Sequence, residues 1–447
     1  MPLFIVALGI IVLLILIMKW NIHTFISLII VAFLIALSLG MPLKNIVASI
    51  ESGMGGTLGS IAFVFGLGAI LGKLIANAGG AQRIAITLIE KFGEKQIQWA
   101  VVIASFILGI ALFFEVGLVL LIPIVYQIAK QTKVSFLSLG LPMVAALSVT
   151  HGFLPPHPGP TVIAQEYNAN IGMVLLYGII VAIPTTFISG PFFARFAKKW
   201  APTAFDKLES GSLAEIGEAK QFKLEETPGF GISAFTALFP VLLMMLSTII
   251  SLFQGDKSGF IFNFFTMVGS PTTVMLLSVL LAIYTMGLAR NIPMKELMSA
   301  AESSIRSIAM MLLIIGAGGA LKQVLIDGGV GDYVAILFDG SSISPIILAW
   351  LIAAVLRIAQ GSATVAALTT AGLVIPLMAG SDVNLALMVL ATGAGSLIAS
   401  HVNDTGFWII KESFGLTIKE TFLTWTMLET VISVSGLAFI LLLNIFV

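Results

Sequence analysis

The sequence predicts an all-α polytopic membrane protein. It consists of two inverted-topology repeats, each of about five transmembrane helices plus a re-entrant helical hairpin, with helices broken near the midplane. Three observations predict this: a composition no water-facing fold could solvate, apolar runs of crossing length from end to end, and polar interruptions at matching places in two halves. Hydrophobic residues make up 58% of the 447 and charged residues 10%, against roughly 45–50% and 25% in soluble proteins. The solvent for such a chain is lipid. The 22 basic and 22 acidic side chains cancel, which gives no reason to expect a nucleic-acid partner. With no cysteine, disulfides, thiolate metal sites and nucleophilic thiols are excluded.

Helices that cross a ~30 Å hydrocarbon core need about 20 apolar residues. Spans are expected near 2–18, 22–40, 57–77, 136–168, 171–194, 230–254, 271–289, 305–326, 384–410 and 421–446. The first is apolar from Leu3 to Met18, without a basic leader or a small-residue cleavage site, and reads as a retained span. Two further apolar regions, 97–129 and 343–379, are too long for one crossing and are interrupted near the middle. They read as re-entrant hairpins or as pairs of spans. The polar stretch from Arg195 to Pro228 reads as a solvated linker. It divides a first membrane repeat, 1–194, from a second, 230–447, the linker segment being 195–229.

Basic residues gather on the cytoplasmic side of membrane proteins. With the linker in the cytoplasm, Lys19, Arg83, Lys91, Lys95, Lys130, Lys133, Arg290, Lys295, Arg306, Lys411 and Lys419 fall on the same side. Only Lys44 and Lys257 fall outside, and Lys73, Lys322 and Arg357 lie in or near spans. This arrangement puts both chain ends outside the cell. The halves also resemble each other. Segment 66–85 laid on 316–335 matches at 66/316, 68/318, 71/321, 79/329 and 85/335, and the same offset brings His151 onto His401. An odd number of crossings in each half inverts the second relative to the first, a transporter signature.

The chemistry concentrates in four interruptions. The long regions are interrupted at Phe113-Phe114-Glu115-Val116-Gly117 and at Arg357-Ile358-Ala359-Gln360-Gly361-Ser362-Ala363-Thr364. A hairpin tip at membrane depth exposes helix-end N–H and C=O groups that need protein, water or an ion. The other two are helix breaks. His151 to Pro160 holds four prolines and two glycines and cannot continue a helix, and Ser400-His401-Val402-Asn403-Asp404-Thr405-Gly406 is a polar patch in an apolar segment. Asp404 and Thr405 can cap a half-helix restarting at Phe407, and half-helix N-termini suit an anion.

Ionisable groups at these depths are costly, about 2.5–3.5 kcal/mol each on the insertion scale. A desolvated carboxyl is the kind that exchanges a proton near neutral pH. Glu115 is therefore a proton-coupling candidate; a structural ion pair, with Arg357 as partner, is the other reading. Arg357 can grip a carboxylate with its planar fork or serve in a structural pair. Asp404 is either a helix cap or a group for protons or substrate. His151 and His157 titrate near physiological pH or simply terminate helices, and His157 reads as the latter. The glycines at 53, 55, 56, 59, 66, 68 and 72 read as close helix packing rather than phosphate binding, since no GK[ST] loop accompanies them. The spacing from His151 to His157 and Glu166 misses the zinc pattern, so no metal site is expected.

The same residues resemble the gluconate permease family, the gluconate:proton symporters grouped in the ion transporter superfamily. The strings that carry the likeness are SVTHGFLPPHPGP (148–160), FFEVGLVLLIP (113–123), LRIAQGSATVAALTTAG (356–372) and SHVNDTGFWIIKESFG (400–415). GGTLGS (55–60) and IIGAGGALKQVL (314–325) belong to it as well, and the likeness runs from the first span to the last. The resemblance implies proton-coupled uptake of D-gluconate or a close sugar acid across a bacterial cytoplasmic (inner) membrane. It implies no cofactor beyond the co-transported proton, and a homodimer among membrane lipids with a scaffold and a moving domain in each protomer.

On this reading the substrate carboxylate meets the half-helix after Gly361, with Ser362, Thr364 and Arg357. Its hydroxyls meet Gln360, Asn403, Thr405 and the region from Ser148 through His151 to Gly152. Glu115 and Asp404 carry the proton. Three other functions remain open at this level: sodium-coupled transport of a small carboxylate, hydroxy acid or amino acid, an intramembrane hydrolase built on Ser148/His151 or His401/Asp404, and a channel.

Overall fold

A backbone in lipid must satisfy its own hydrogen bonds, and among the described residues every regular element is helical. The computed structural model describes residues 2–206, 222–253, 259–330, 344–378, 383–402 and 404–447. Asn403 lies outside that set, as do some side chains within helices, those of Glu115, Gln360 and Thr405 among them.

The first half runs α1 (Pro2–Leu14), α2 (Thr24–Ser38), α3 (Leu43–Asn77), α4 (Gly80–Phe92), α5 (Ile97–Ala111), α6 (Phe114–Thr132), α7 (Phe136–Phe153), α8 (Pro158–Glu166), α9 (Ile171–Phe187), α10 (Phe193–Trp200) and α11 (Pro202–Asp206). The second runs α12 (Phe230–Phe253), α13 (Phe260–Val268), α14 (Pro271–Ala282), α15 (Met294–Asp327), α16 (Pro345–Gln360), α17 (Ala363–Met378), α18 (Leu385–Gly395), α19 (Thr405–Ser413), α20 (Ile418–Thr421) and α21 (Met427–Leu443). Five-residue π-helical turns join α9 to α10 and α20 to α21. Seven described helical stretches are long and apolar enough to cross a membrane.

All four expected interruptions are breaks. α5 ends in extended backbone at Leu112 before α6 starts at Phe114. α16 ends at Gly361, whose φ of +77° is the left-handed conformation that glycine adopts without a Cβ penalty. α7 gives way at Leu154, and α8 begins on Pro158, whose missing N–H costs nothing at a first helical position. α18 stops at Gly395 and α19 restarts at Thr405, two residues before the expected Phe407. Its cap is Asp404, which accepts from the Gly406 N–H at 3.0 Å.

Other boundaries differ from the sequence reading for physical reasons. α3 and α15 are 35 and 34 residues long, where 57–77 and 305–326 were expected. Their polar N-terminal turns, around Lys44 and Glu51 in one and Lys295 and Glu302 in the other, read as loops but continue the helix. α4 was read as part of a cytoplasmic segment. It is amphipathic, burying Ala81, Ile84, Ala85 and Leu88 while Arg83 donates to the carbonyls of Leu224 at 2.6 Å and Pro228 at 3.0 Å. The stretch read as a solvated linker begins inside a helix: α10 spans Arg195, and Ala197, Ala201, Ala204 and Phe205 are buried. Residues 207–221 lie outside the described set.

Two hydrophobic cores result. One runs through α3–α9 and most of the second half. The other joins α1, α2 and the start of α3 to the C-terminal part of α15. α3 and α15 pair antiparallel: Ser49 donates to Asp327 near one end, Gly53 meets Gly319 in the middle, and Leu58 packs on Gly316. At the crossing a Cβ on Gly53 would lie 2.4 Å from the Gly319 carbonyl oxygen, and one on Gly319 would lie 2.1 Å from Thr57 Oγ1. Gly55, Gly56, Gly59 and Gly66 have nothing within 4 Å, so close packing belongs to only part of that glycine run. Gly319→Ala is expected to lower stability by about 1–3 kcal/mol and Gly56→Ala to leave it unchanged; thermal unfolding in detergent measures both.

Candidate functional site

The breaks converge on one cavity of about 460 Å³, within the size range of small-molecule sites. The end of α7 contributes Ser148 and His151; Arg357 and Gly361 come from the end of α16; Ser362 and Thr364 come from the start of α17. Asp404 and Gly406 enter from the start of α19, and Trp425 and Glu429 from the last span. Phe114 covers one side, its ring 6.4 Å from that of His151 and 5.7 Å from that of Trp425.

Arg357 dominates the electrostatics. It is 3% exposed, its Nη1 donates to the Gly361 carbonyl, and its Nη2 meets Asp404 Oδ2 at 2.5 Å. The left-handed turn at Gly361 folds that carbonyl back toward the guanidinium. Arg357 Nε has no partner among the described residues, so the five-donor fork keeps capacity for another acceptor. Asp404 is held from three sides, by Arg357, by the Ser400 hydroxyl and by the Gly406 N–H. Ser400 in turn accepts from the Trp425 indole at 2.7 Å, and Thr426 donates to its carbonyl at 2.5 Å. A short polar chain thus ties the α19 half-helix to the last span. At the other half-helix Ser362 accepts from the Val365 N–H at 3.3 Å, and the first turn of α17 opens on the cavity.

The site residues expected from sequence are placed as follows. Arg357, Gly361, Ser362, Thr364, His151 and Asp404 line the cavity. Gly152 does not appear in its lining; a Cβ there would come within 2.5 Å of Leu397, so its backbone packs α7 against the break after α18. Asn403 and the side chains of Glu115, Gln360 and Thr405 lie outside the described residues. Arg357 pairs with Asp404; its pair with Glu115, the other reading from the sequence, falls on a side chain outside the described residues. His157 is buried, bonds the Gly109 carbonyl, and sets its ring 5.3 Å from that of His151. His401 bonds the Ile358 carbonyl at 2.9 Å.

Glu429 escaped the sequence reading. It is 1% exposed, lines the cavity with Ser148 and lies within electrostatic reach of Arg357 and Asp404. Its signal was present: between Glu420 and the last residue, Val447, it is the sole charged side chain. Among the described residues no group of three or more His, Cys, Asp or Glu is placed to hold a metal. A buried guanidinium and a half-helix N-terminus facing one cavity are groups that can attract a small anion.

A family model described as GntP family permease matches residues 1–446. The chain belongs to that family. It is a permease, a multi-pass membrane protein and not an enzyme. It is 66% identical to a gluconate permease of Bacillus subtilis, covering 100% of both chains, and 52% identical to a high-affinity gluconate transporter of Escherichia coli, covering 99% of both. Among solved structures it has the fold of the Alcanivorax borkumensis YdaH transporter, with a TM-score of 0.60 at 14% identity over 94% of this chain and 97% of that one.

Removing one partner of a buried ion pair leaves the other charge uncompensated, at a cost of about 3–5 kcal/mol. Arg357→Met in the permease is therefore expected to lose stability on that scale, and Arg357→Met with Asp404→Asn to regain most of it. Thermal unfolding of both variants in detergent measures the difference.

Proposed function

We propose that this permease is a proton-coupled symporter that takes up D-gluconate, or a closely related sugar acid, across the cytoplasmic membrane by alternating access. The observation that carries the reading is Arg357: a buried guanidinium in a 460 Å³ cavity, paired with Asp404 and beside the N-terminus of α17. A proton arriving at Asp404 removes the negative charge that holds Arg357. The freed fork then takes the substrate carboxylate, which the first turn of α17 also attracts through Ser362, Thr364 and its unpaired N–H groups. Gln360, Asn403, Thr405, Ser148 and His151 are proposed to receive the sugar hydroxyls. Glu115, at the start of α6, relays the proton.

Before and after this exchange the charges balance. Arg357 offsets Asp404 in the empty site and the substrate carboxylate in the loaded one, so each monoanion travels with one proton. Alternating access is proposed through two inverted repeats, 1–194 and 230–447, joined by a cytoplasmic linker at 195–229, with both termini outside. The repeat is supported by break positions that recur at a near-constant offset: Leu112 and Gly361, or the left-handed glycines Gly79 and Gly329 after α3 and α15. Its inversion is supported by the antiparallel pairing of α3 with α15. A homodimer with scaffold and transport domains is proposed on the family likeness.

In proteoliposomes free of sodium, an inward proton gradient is expected to concentrate labelled gluconate above equilibrium, with idonate, glycerate and serine as graded competitors. Uptake that requires sodium, or that only equilibrates, would refute the coupling. Arg357→Ala is expected to weaken gluconate by roughly tenfold or more while changing an uncharged polyol little. Glu115→Gln is expected to keep gluconate binding and lose gradient-driven accumulation, and full accumulation would remove Glu115 from the pathway.

A further inference from the structure

We infer that Glu429 works as a neutral carboxylic acid, donating its proton to Ser148 so that the Ser148 hydroxyl is set as a hydrogen-bond donor toward the cavity. The consequence for transport rests on the symport reading above; the state of Glu429 does not.

Glu429 sits in the last span at 1% exposure, and its Oε1 has no hydrogen-bond partner among the described residues. Ser148 on α7 and Glu429 line the same cavity, and the Ser148 hydroxyl is the polar side chain that acts most strongly on the Glu429 carboxyl. An ionised carboxylate offers about four acceptor sites, and one hydroxyl cannot satisfy them. A protonated one needs far less: its O–H donates to Ser148 Oγ, and its carbonyl oxygen tolerates isolation better than a charged oxygen does.

The charges agree. Arg357 is the cation of the cavity lining, and its Nη groups are committed to Asp404 and the Gly361 carbonyl. Two ionised carboxylates against that single guanidinium would leave a buried net negative charge, which hydrocarbon surroundings oppose. The groups facing Glu429 from neighbouring elements are His151 on α7, Arg357 on α16 and Asp404 before α19. Of the other helices packed on α21, α18 carries no titratable side chain and α9 carries only Tyr177. With Glu429 neutral, the empty site has zero net charge, and the loaded site reaches zero when one proton accompanies the anion onto Asp404.

The bond direction then has a consequence for recognition. When Glu429 donates, the Ser148 O–H is free to donate into the cavity, to a polyol oxygen of the substrate. When Glu429 ionises, Ser148 must turn its hydrogen toward the carboxylate and can only accept. Glu429 is thus a positioning residue for a hydroxylated substrate, and its ionisation weakens recognition from a distance.

The test uses the full-length permease with Glu429→Gln, Glu429→Ala and Ser148→Ala. Infrared difference spectra across a pH jump are expected to show at neutral pH a protonated-acid carbonyl band that Glu429→Gln removes. Its absence from the wild type would overturn the inference whatever the substrate proves to be. In gluconate counterflow at equal pH on both sides, Glu429→Gln is expected to keep near-normal KM, because its amide N–H still donates to Ser148. Its alkaline limb should fall with about the first power of proton concentration, where the wild type falls with about the second. Glu429→Ala and Ser148→Ala should each raise KM by roughly tenfold. Loss of counterflow or of gradient coupling in a properly inserted Glu429→Gln, or an unchanged KM in Ser148→Ala, would overturn it. Failure of the wild type to exchange gluconate at all would instead refute the substrate reading and leave the infrared result to decide this one.

Discussion

A guanidinium buried at membrane depth must be matched by negative charge, and Arg357 is the constraint around which this permease is arranged. Its long side chain reaches back from the end of α16 to the carbonyl of Gly361 and across to Asp404. Both contacts exist because helices stop there. The left-handed turn at Gly361 presents a carbonyl that an intact helix would have used internally, and Asp404 is free to face Arg357 because it precedes α19 as a cap. Breaking helices in lipid exposes backbone groups that need partners. Arg357 supplies one to the Gly361 carbonyl, Thr426 one to the Ser400 carbonyl, and Asp404 one to the Gly406 N–H. In the proposed transport cycle the N-terminal turn of α17 draws the substrate carboxylate, so what makes the breaks costly also makes the site.

The remaining architecture holds that cavity in place. α3 and α15, joined at the Gly53–Gly319 crossing, form a long antiparallel pair whose C-terminal parts bear on different cores. Lys322 on α15 reaches Glu166 at the end of α8, and its stem lies against Gly372 on α17. The broken elements α8 and α17 are thereby tied to a rigid rod. Packing within the other core is equally close: Gly152, Gly178 and Gly436 each leave no room for a side chain where α7, α9 and α21 meet their neighbours.

Much of this was legible in the sequence, and what was not has definite causes. Proline clusters, glycine turns and polar patches in apolar runs located all four breaks, because backbone chemistry is local. Arg357 and Asp404 were each visible as costly charges, but their pairing was not, since nothing in the chain records which distant carboxylate a guanidinium meets. Glu429 carried the same signal as Glu115, a lone acid in an apolar span, yet it lies in no break, and only the fold brings it to the cavity. Gly152, expected among the substrate contacts beside His151, lies close against Leu397, a long-range packing contact that the chain does not record. The polar turns of α3 and α15 and the amphipathic α4 were read as loops. Hydropathy sees the portion of a helix that lies in lipid and not the portion that extends beyond it.

In the proposed cycle Arg357 changes partners, from Asp404 in the empty site to a substrate carboxylate in the loaded one. A structure determined with gluconate bound in lipid nanodiscs at mildly acidic pH tests this most directly. The account predicts density for the carboxylate between the Arg357 fork and the first turn of α17, with Asp404 withdrawn from the guanidinium. Gluconate seated elsewhere while Arg357 still clasps Asp404 would contradict it.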